Sequence, residues 1–190
     1  MTTPTRLSRA PLAVIVGAGI VAVIAGLLFG GAALAPLLVD PGVGVRYGLP
    51  AAMLVLRISS SLTLGALLFA ALALPSDSPA YEKTMQLAGW SAATWTVSSV
   101  VAAFLTFQAV YLEPVSATDQ YGNLLALFFS QTEFGRAWMW STILAAATTI
   151  MAIGSRAYAP VFATGVLAVA ALWPLSELGH AAGAASHNQA

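Results

Sequence analysis

Apolar residues run with little interruption from about Pro11 to Leu38, Leu49 to Leu74 and Leu87 to Leu112, then from about Phe134 to Ile153 and Pro160 to Leu178. A helix rising ~1.5 Å per residue needs about 20 such residues to cross ~30 Å of hydrocarbon. The pattern predicts an all-α, polytopic transmembrane helix bundle of about five spans. Residues 1–10 read as an N-terminal tail, 11–178 as the bundle and 179–190 as a tail containing both histidines. The fourth run is the most polar, with Trp138, Trp140, Ser141, Thr142, Thr148 and Thr149. Most prolines fall at or beyond the predicted ends, Pro50, Pro75, Pro79, Pro114 and Pro160 among them, as a residue lacking an N–H should. Pro174 is the exception and is expected to kink the last helix.

The apolar stretch Leu124–Phe129 is too short to cross. It reads as an interfacial helix, as a patch against another subunit, or as a loop fragment folding back on the bundle, the last being preferred. The first run resembles a signal peptide in having Arg6 and Arg9 ahead of it and Ala33-Leu34-Ala35 near its end. Its length far exceeds the ~7–15 residues of a signal core, so it reads as a retained span. Gly26-xxx-Gly30 within it would let a neighbouring helix approach closely.

Composition sharpens this picture. The chain is 59% hydrophobic and 7% charged, against about 25% charged in a soluble domain. A formal net charge of +0 with scattered cations excludes a general attraction for nucleic acid. With no cysteine, thiolate metal sites and disulfides are excluded, and a soft metal would have to be held by Met sulfur and His nitrogen. With the N-terminus inside, Arg6, Arg9, Lys83 and Arg156 fall on the cytoplasmic side and Arg46 and Arg136 on the outer side. The positive-inside bias therefore predicts a multi-pass protein of the cell membrane with a cytoplasmic N-terminus and an external C-terminus.

Arg57 lies inside the second run, where a charge is expected to face the bundle and be paired. Glu177 is the favoured partner, with Glu113 the alternative; packing glue and an ion or substrate path are both open roles. His180 and His187 stand seven positions apart, two turns on an unbroken helix and roughly 10.5 Å along its axis. Sharing one metal would require the chain to break, which Gly179 and Gly183 permit. Otherwise each belongs to a different site, or both are ordinary polar loop residues. Met53 and Met139 fall near the outer ends of their spans, at the level of the histidines, and would suit Cu(I) if they are not simply core filler. No nucleophile–base pattern or phosphate loop appears in a sensible context, so the chain is not expected to be an enzyme.

Leu49-Pro50, Arg57 and the run Ser61–Leu68, followed by Trp173-Pro174-Leu175-Ser176-Glu177-Leu178-Gly179-His180 and the stretch to His187, resemble the N-terminal part of the actinobacterial CopD-type copper-resistance membrane proteins. In many of these the CopD region is fused to a CtaG-like region associated with copper supply to cytochrome c oxidase. The resemblance implies a protein that binds or passes copper at its outer face through His180 and His187. It also implies a copper chaperone or respiratory complex as partner, besides the lipid bilayer. Family members are expected to continue into further helices, so a chain ending at Ala190 reads as a fragment or a short paralogue. The rival expectation is a metal-free accessory subunit of a larger membrane complex, packing through its Gly-rich first helix and aromatic third and fourth helices.

Overall fold

A computed structural model describes residue 21, residues 25–26, 40–154 and 158–176, and it is all-helical over them. Five helices follow in order: α1 (Val43–Ala73), α2 (Pro79–Tyr111), α3 (Asp119–Gln131), α4 (Glu133–Gly154) and α5 (Tyr158–Ser176). Three of them, α1, α2 and α4, are long and apolar enough to cross a membrane, and α5 adds a shorter apolar helix over Pro160–Ser176. Of the first predicted span only Val21, Ala25 and Gly26 are described, and they are helical. At 31 and 33 residues, α1 and α2 are roughly 46–50 Å long and exceed the hydrocarbon thickness.

Local chemistry sets the helix ends. The Asp40 carboxylate accepts a hydrogen bond from the Gly42 N–H at 2.8 Å, and Arg46 Nε lies 3.3 Å from the same oxygen. Gly42 has φ +94°, which glycine adopts without a Cβ penalty. This turn starts α1 six residues before the expected Leu49. Pro50 consequently sits inside α1 and not at its end, removing one rung of the helical ladder. At α2, Ser78 Oγ accepts from the Tyr81 N–H at 3.1 Å, Pro79 occupies the first turn, and Glu82 complements the helix dipole. Leu112 ends α2 in the left-handed conformation, its N–H returning to the Gln108 carbonyl.

Neighbouring long helices form a ring in the order α1, α2, α4, α5, with α5 closing back on α1. Thus α1 lies diagonally across from α4. The core is built largely of alanine, including Ala70, Ala88, Ala92, Ala102, Ala145, Ala168 and Ala171, all fully buried. Small side chains let the helices approach closely, which is how spans associate when lipid removes the hydrophobic drive between them. Hydroxyls then bond across the seams: Thr63 to Ser91 at 3.0 Å, Thr96 to Thr149 at 2.9 Å, and Ser141 to the Ala171 carbonyl at 2.8 Å. With the approaches of Gly48 to Leu105 and of Gly89 to Ile153, the first two of these contacts run α1 antiparallel to α2 and α2 antiparallel to α4.

Candidate functional site

One end of the bundle carries the start of α1, the end of α2 and all of α3. Phe107 of α2 is fully buried there between Tyr111, Tyr121 and Phe128, with ring centroids 5.0, 5.5 and 5.6 Å away. Gln108 Nε2 donates to the Tyr121 hydroxyl at 2.6 Å. Leu124–Phe129 is thereby placed: it is the body of a 13-residue helix whose aromatic side packs back onto α2 and α4. Gly135, at the start of α4, permits this closure, because a Cβ there would collide with the Phe128 carbonyl.

Met53 is half-buried against the core on α1, and Met139 is half-buried on α4. Their helices are diagonal, and the cross-helix contacts place Met139 about level with Gly48, four to five residues or roughly 7 Å above Met53. The structure does not bring these two sulfurs together. His180, His187 and Glu177 lie outside the described residues. Among the described residues no three His, Asp or Glu side chains cluster to hold a metal ion.

Arg57, expected to face the bundle, is exposed on the flank of α1. The buried stripe runs through Ala52, Leu56, Ser59, Ser60, Thr63, Ala66, Leu67 and Ala70, and position 57 falls about 60° beyond its Ser60 edge. No described carboxylate pairs with it. Glu113, the alternative partner, is exposed just past the end of α2.

The interior between the two ends is rich in hydroxyls. Ser59, Thr63, Ser91, Ser141, Thr148 and Thr164 are buried, and most bond to a carbonyl one turn back on their own helix. Trp95 Nε1 and Ser99 Oγ on α2 and Thr142 Oγ1 on α4 are buried without a hydrogen-bond partner among the described residues. Sequence reading singled out Thr142 only as part of a polar span and missed the other two, which share one face at a spacing of four.

The opposite end holds a cavity of about 560 Å³ where the α1–α2 turn meets the end of α4. Asp77, Glu82, Gln86, Met85 and Trp90 line it, opposite Ala152 and Ile153. Their grouping was not apparent from the sequence. Gly89, also in the lining, lets α2 approach α4 closely, since a Cβ there would come within 3.2 Å of Ile153.

No curated protein and no solved structure matches this chain significantly. A family model does match, that of the copper resistance protein D-like N-terminal domain, over residues 38–187. That span takes in all five described helices together with Arg57, Met53, Met139 and both histidines. The all-helical fold, with three helices able to cross a membrane, agrees with it. The chain is a membrane protein that belongs to the copper resistance protein D-like family, represented here by its N-terminal domain.

Proposed function

We propose that this chain binds copper at the external face of the cell membrane and passes it into or across the bundle, acting as a carrier and not as an enzyme. The observation that carries the reading is the family match, which extends through His180 and His187. In this reading the N-terminus is cytoplasmic, and the histidines enter the same end of the bundle as Met53 and Met139. Imidazole and thioether are donors that Cu(I) prefers. The two methionines, some 7 Å apart in depth on diagonal helices, act as successive stations and not as one ligand set. The hydroxyl-rich interior supplies a polar lining, and the far cavity combines the Met85 thioether with the Asp77 and Glu82 carboxylates. Copper is cargo, delivered to or taken from a chaperone, with cytochrome c oxidase copper supply as the downstream use.

Calorimetric titration with Cu(I) of wild type and of a His180→Ala, His187→Ala double variant tests the reading. Binding is expected in the first and at least tenfold weaker binding in the second. Equal stoichiometry and affinity in both would remove the metal-site reading. A second reading, a metal-free subunit of a larger membrane complex such as a respiratory assembly, is favoured by one observation: the exposed charge of Arg57 in mid-helix.

A further inference from the structure

A belt of polar side chains crosses the middle of the bundle. Trp95 is the central residue of α2, sixteen positions from either end. Thr63 bonds Ser91, so four residues further toward the α3 end Ser59 of α1 is level with Trp95. Thr96 bonds Thr149, which puts Thr148 of α4 level with Val97. Ser141 bonds Ala171, thirteen residues before the end of α4 and thirteen after the start of α5, so these two helices are antiparallel as well. Seven residues along each of them, Thr148 is level with Thr164 of α5. Ser59, Trp95, Ser99, Thr148 and Thr164, drawn from four helices, therefore fall within about four residues, or roughly 6 Å, of one depth. None is more than 3% exposed.

The hydrogen-bonding capacity of this belt is unevenly used. Ser59 donates to the Val55 carbonyl at 2.7 Å, Thr148 to that of Leu144 at 2.8 Å and Thr164 to that of Pro160 at 2.6 Å. Each has spent its proton inside its own helix and presents oxygen lone pairs that can only accept. Ser99 does not bond back in this way, and the Trp95 indole can only donate. Both atoms are buried without a hydrogen-bond partner among the described residues. A buried donor left unpaired forfeits its whole desolvation penalty, which is why such groups in native proteins are so often held by water or a ligand.

Water complements this set from both sides. Its oxygen accepts from the indole N–H, and its two protons go to hydroxyl oxygens that have none left to give. An ion is a poorer match. Among the described residues the one charge at this depth, Arg57, lies on the outer flank of α1, so a buried ion would have no counter-charge. We propose that Trp95 and Ser99 bind ordered water at the midpoint of the bundle, with the Ser59, Thr148 and Thr164 hydroxyls of the same belt as its acceptors. This hydration site does not depend on the chain carrying copper.

The full chain, isotope-labelled at tryptophan and reconstituted in bilayers, tests the proposal through magnetisation transfer from water to the indole N–H groups. The Trp95 signal is identified by its loss in Trp95→Phe. Transfer to the Trp95 N–H is expected, and Ser99→Ala should lose most of it. Melting in detergent is the second readout: the Ser99→Ala midpoint should fall by about 2–4 °C, as for one lost hydrogen bond. Removing a hydroxyl that truly had no partner would raise it instead. No transfer to Trp95, an indole proton bonded to a protein acceptor, or a Ser99→Ala midpoint at or above that of wild type would each overturn the proposal. So would a midpoint that rises when sodium replaces choline at constant ionic strength, since that would mean a bound cation.

Discussion

Gly135→Ala is the sharpest test of how α3 closes the bundle. The new methyl group would be driven into the Phe128 carbonyl and to 2.9 Å from Phe129 Cα, both backbone atoms that no rotamer change can move. That carbonyl accepts hydrogen bonds from Thr132 Oγ1 at 2.8 Å and the Thr132 N–H at 3.3 Å. Thr132 Oγ1 in turn accepts the Gly135 N–H at 2.9 Å. Relieving the overlap means separating α3 from α4 and loosening these bonds. Overpacking typically costs about 1–3 kcal/mol, and each loosened bond adds about 1 kcal/mol. Alanine's better helix propensity returns at most ~1 kcal/mol, and less in a first turn. The expected net loss is about 2–3 kcal/mol. At ~2–4 °C per kcal/mol for a chain of this size, the thermal midpoint in detergent should fall by about 5–10 °C. Gly122→Ala is the matched control: it lies in α3, and its Cβ would meet nothing within 4 Å. That variant should be neutral or slightly stabilised by the same propensity term. The steric argument fails if Gly135→Ala melts at or above the Gly122→Ala midpoint.

The same melting assay reads the aromatic nest: Phe107→Ala removes a fully buried ring with three aromatic neighbours and should cost about 3–5 kcal/mol. Gln108→Leu, which removes the donor to the Tyr121 hydroxyl, should cost about 1–2 kcal/mol; an unchanged midpoint would mean that bond is not made in solution. A double-mutant cycle on Thr96→Val and Thr149→Val should return a coupling of about 0.6 kcal/mol, the usual size of an interhelical hydroxyl bond in a membrane protein. For orientation, the natural absence of cysteine makes Ser186→Cys a clean probe, expected to react with a membrane-impermeant thiol reagent in intact cells. Protection there, with labelling of Thr3→Cys instead, would invert the topology.

The position of the long helices along the chain was legible in the sequence, because crossing hydrocarbon demands length and apolarity and both can be counted. Helices α1, α2, α4 and α5 overlap the apolar runs that begin at Leu49, Leu87, Phe134 and Pro160, with α1 starting six and α2 eight residues earlier than those runs. The larger errors are local. The start of α1 was missed because Asp40 and Gly42 build a turn that carries the helix outward past Pro50. For Leu124–Phe129 a folded-back loop fragment is preferred over a helix because the first turn is polar, although Thr118-Asp119 ahead of it is an N-terminal capping signal. Azimuth around the helix is a different matter. In a span that is apolar on every side, the core face is not marked by hydrophobicity, so nothing in the run Leu54–Leu68 said that Leu56 points inward and Arg57 does not. Nor could the sequence show that Met53 and Met139 lie on diagonal helices, since that follows from ring order. What distinguishes faces in lipid is the placement of small and hydroxyl residues, and α1 has two such rows. Ser59 and Thr63 turn inward and meet α2 through Ser91. Ser61 and Gly65 turn outward beside Arg57, with no described helix of this chain packed upon them.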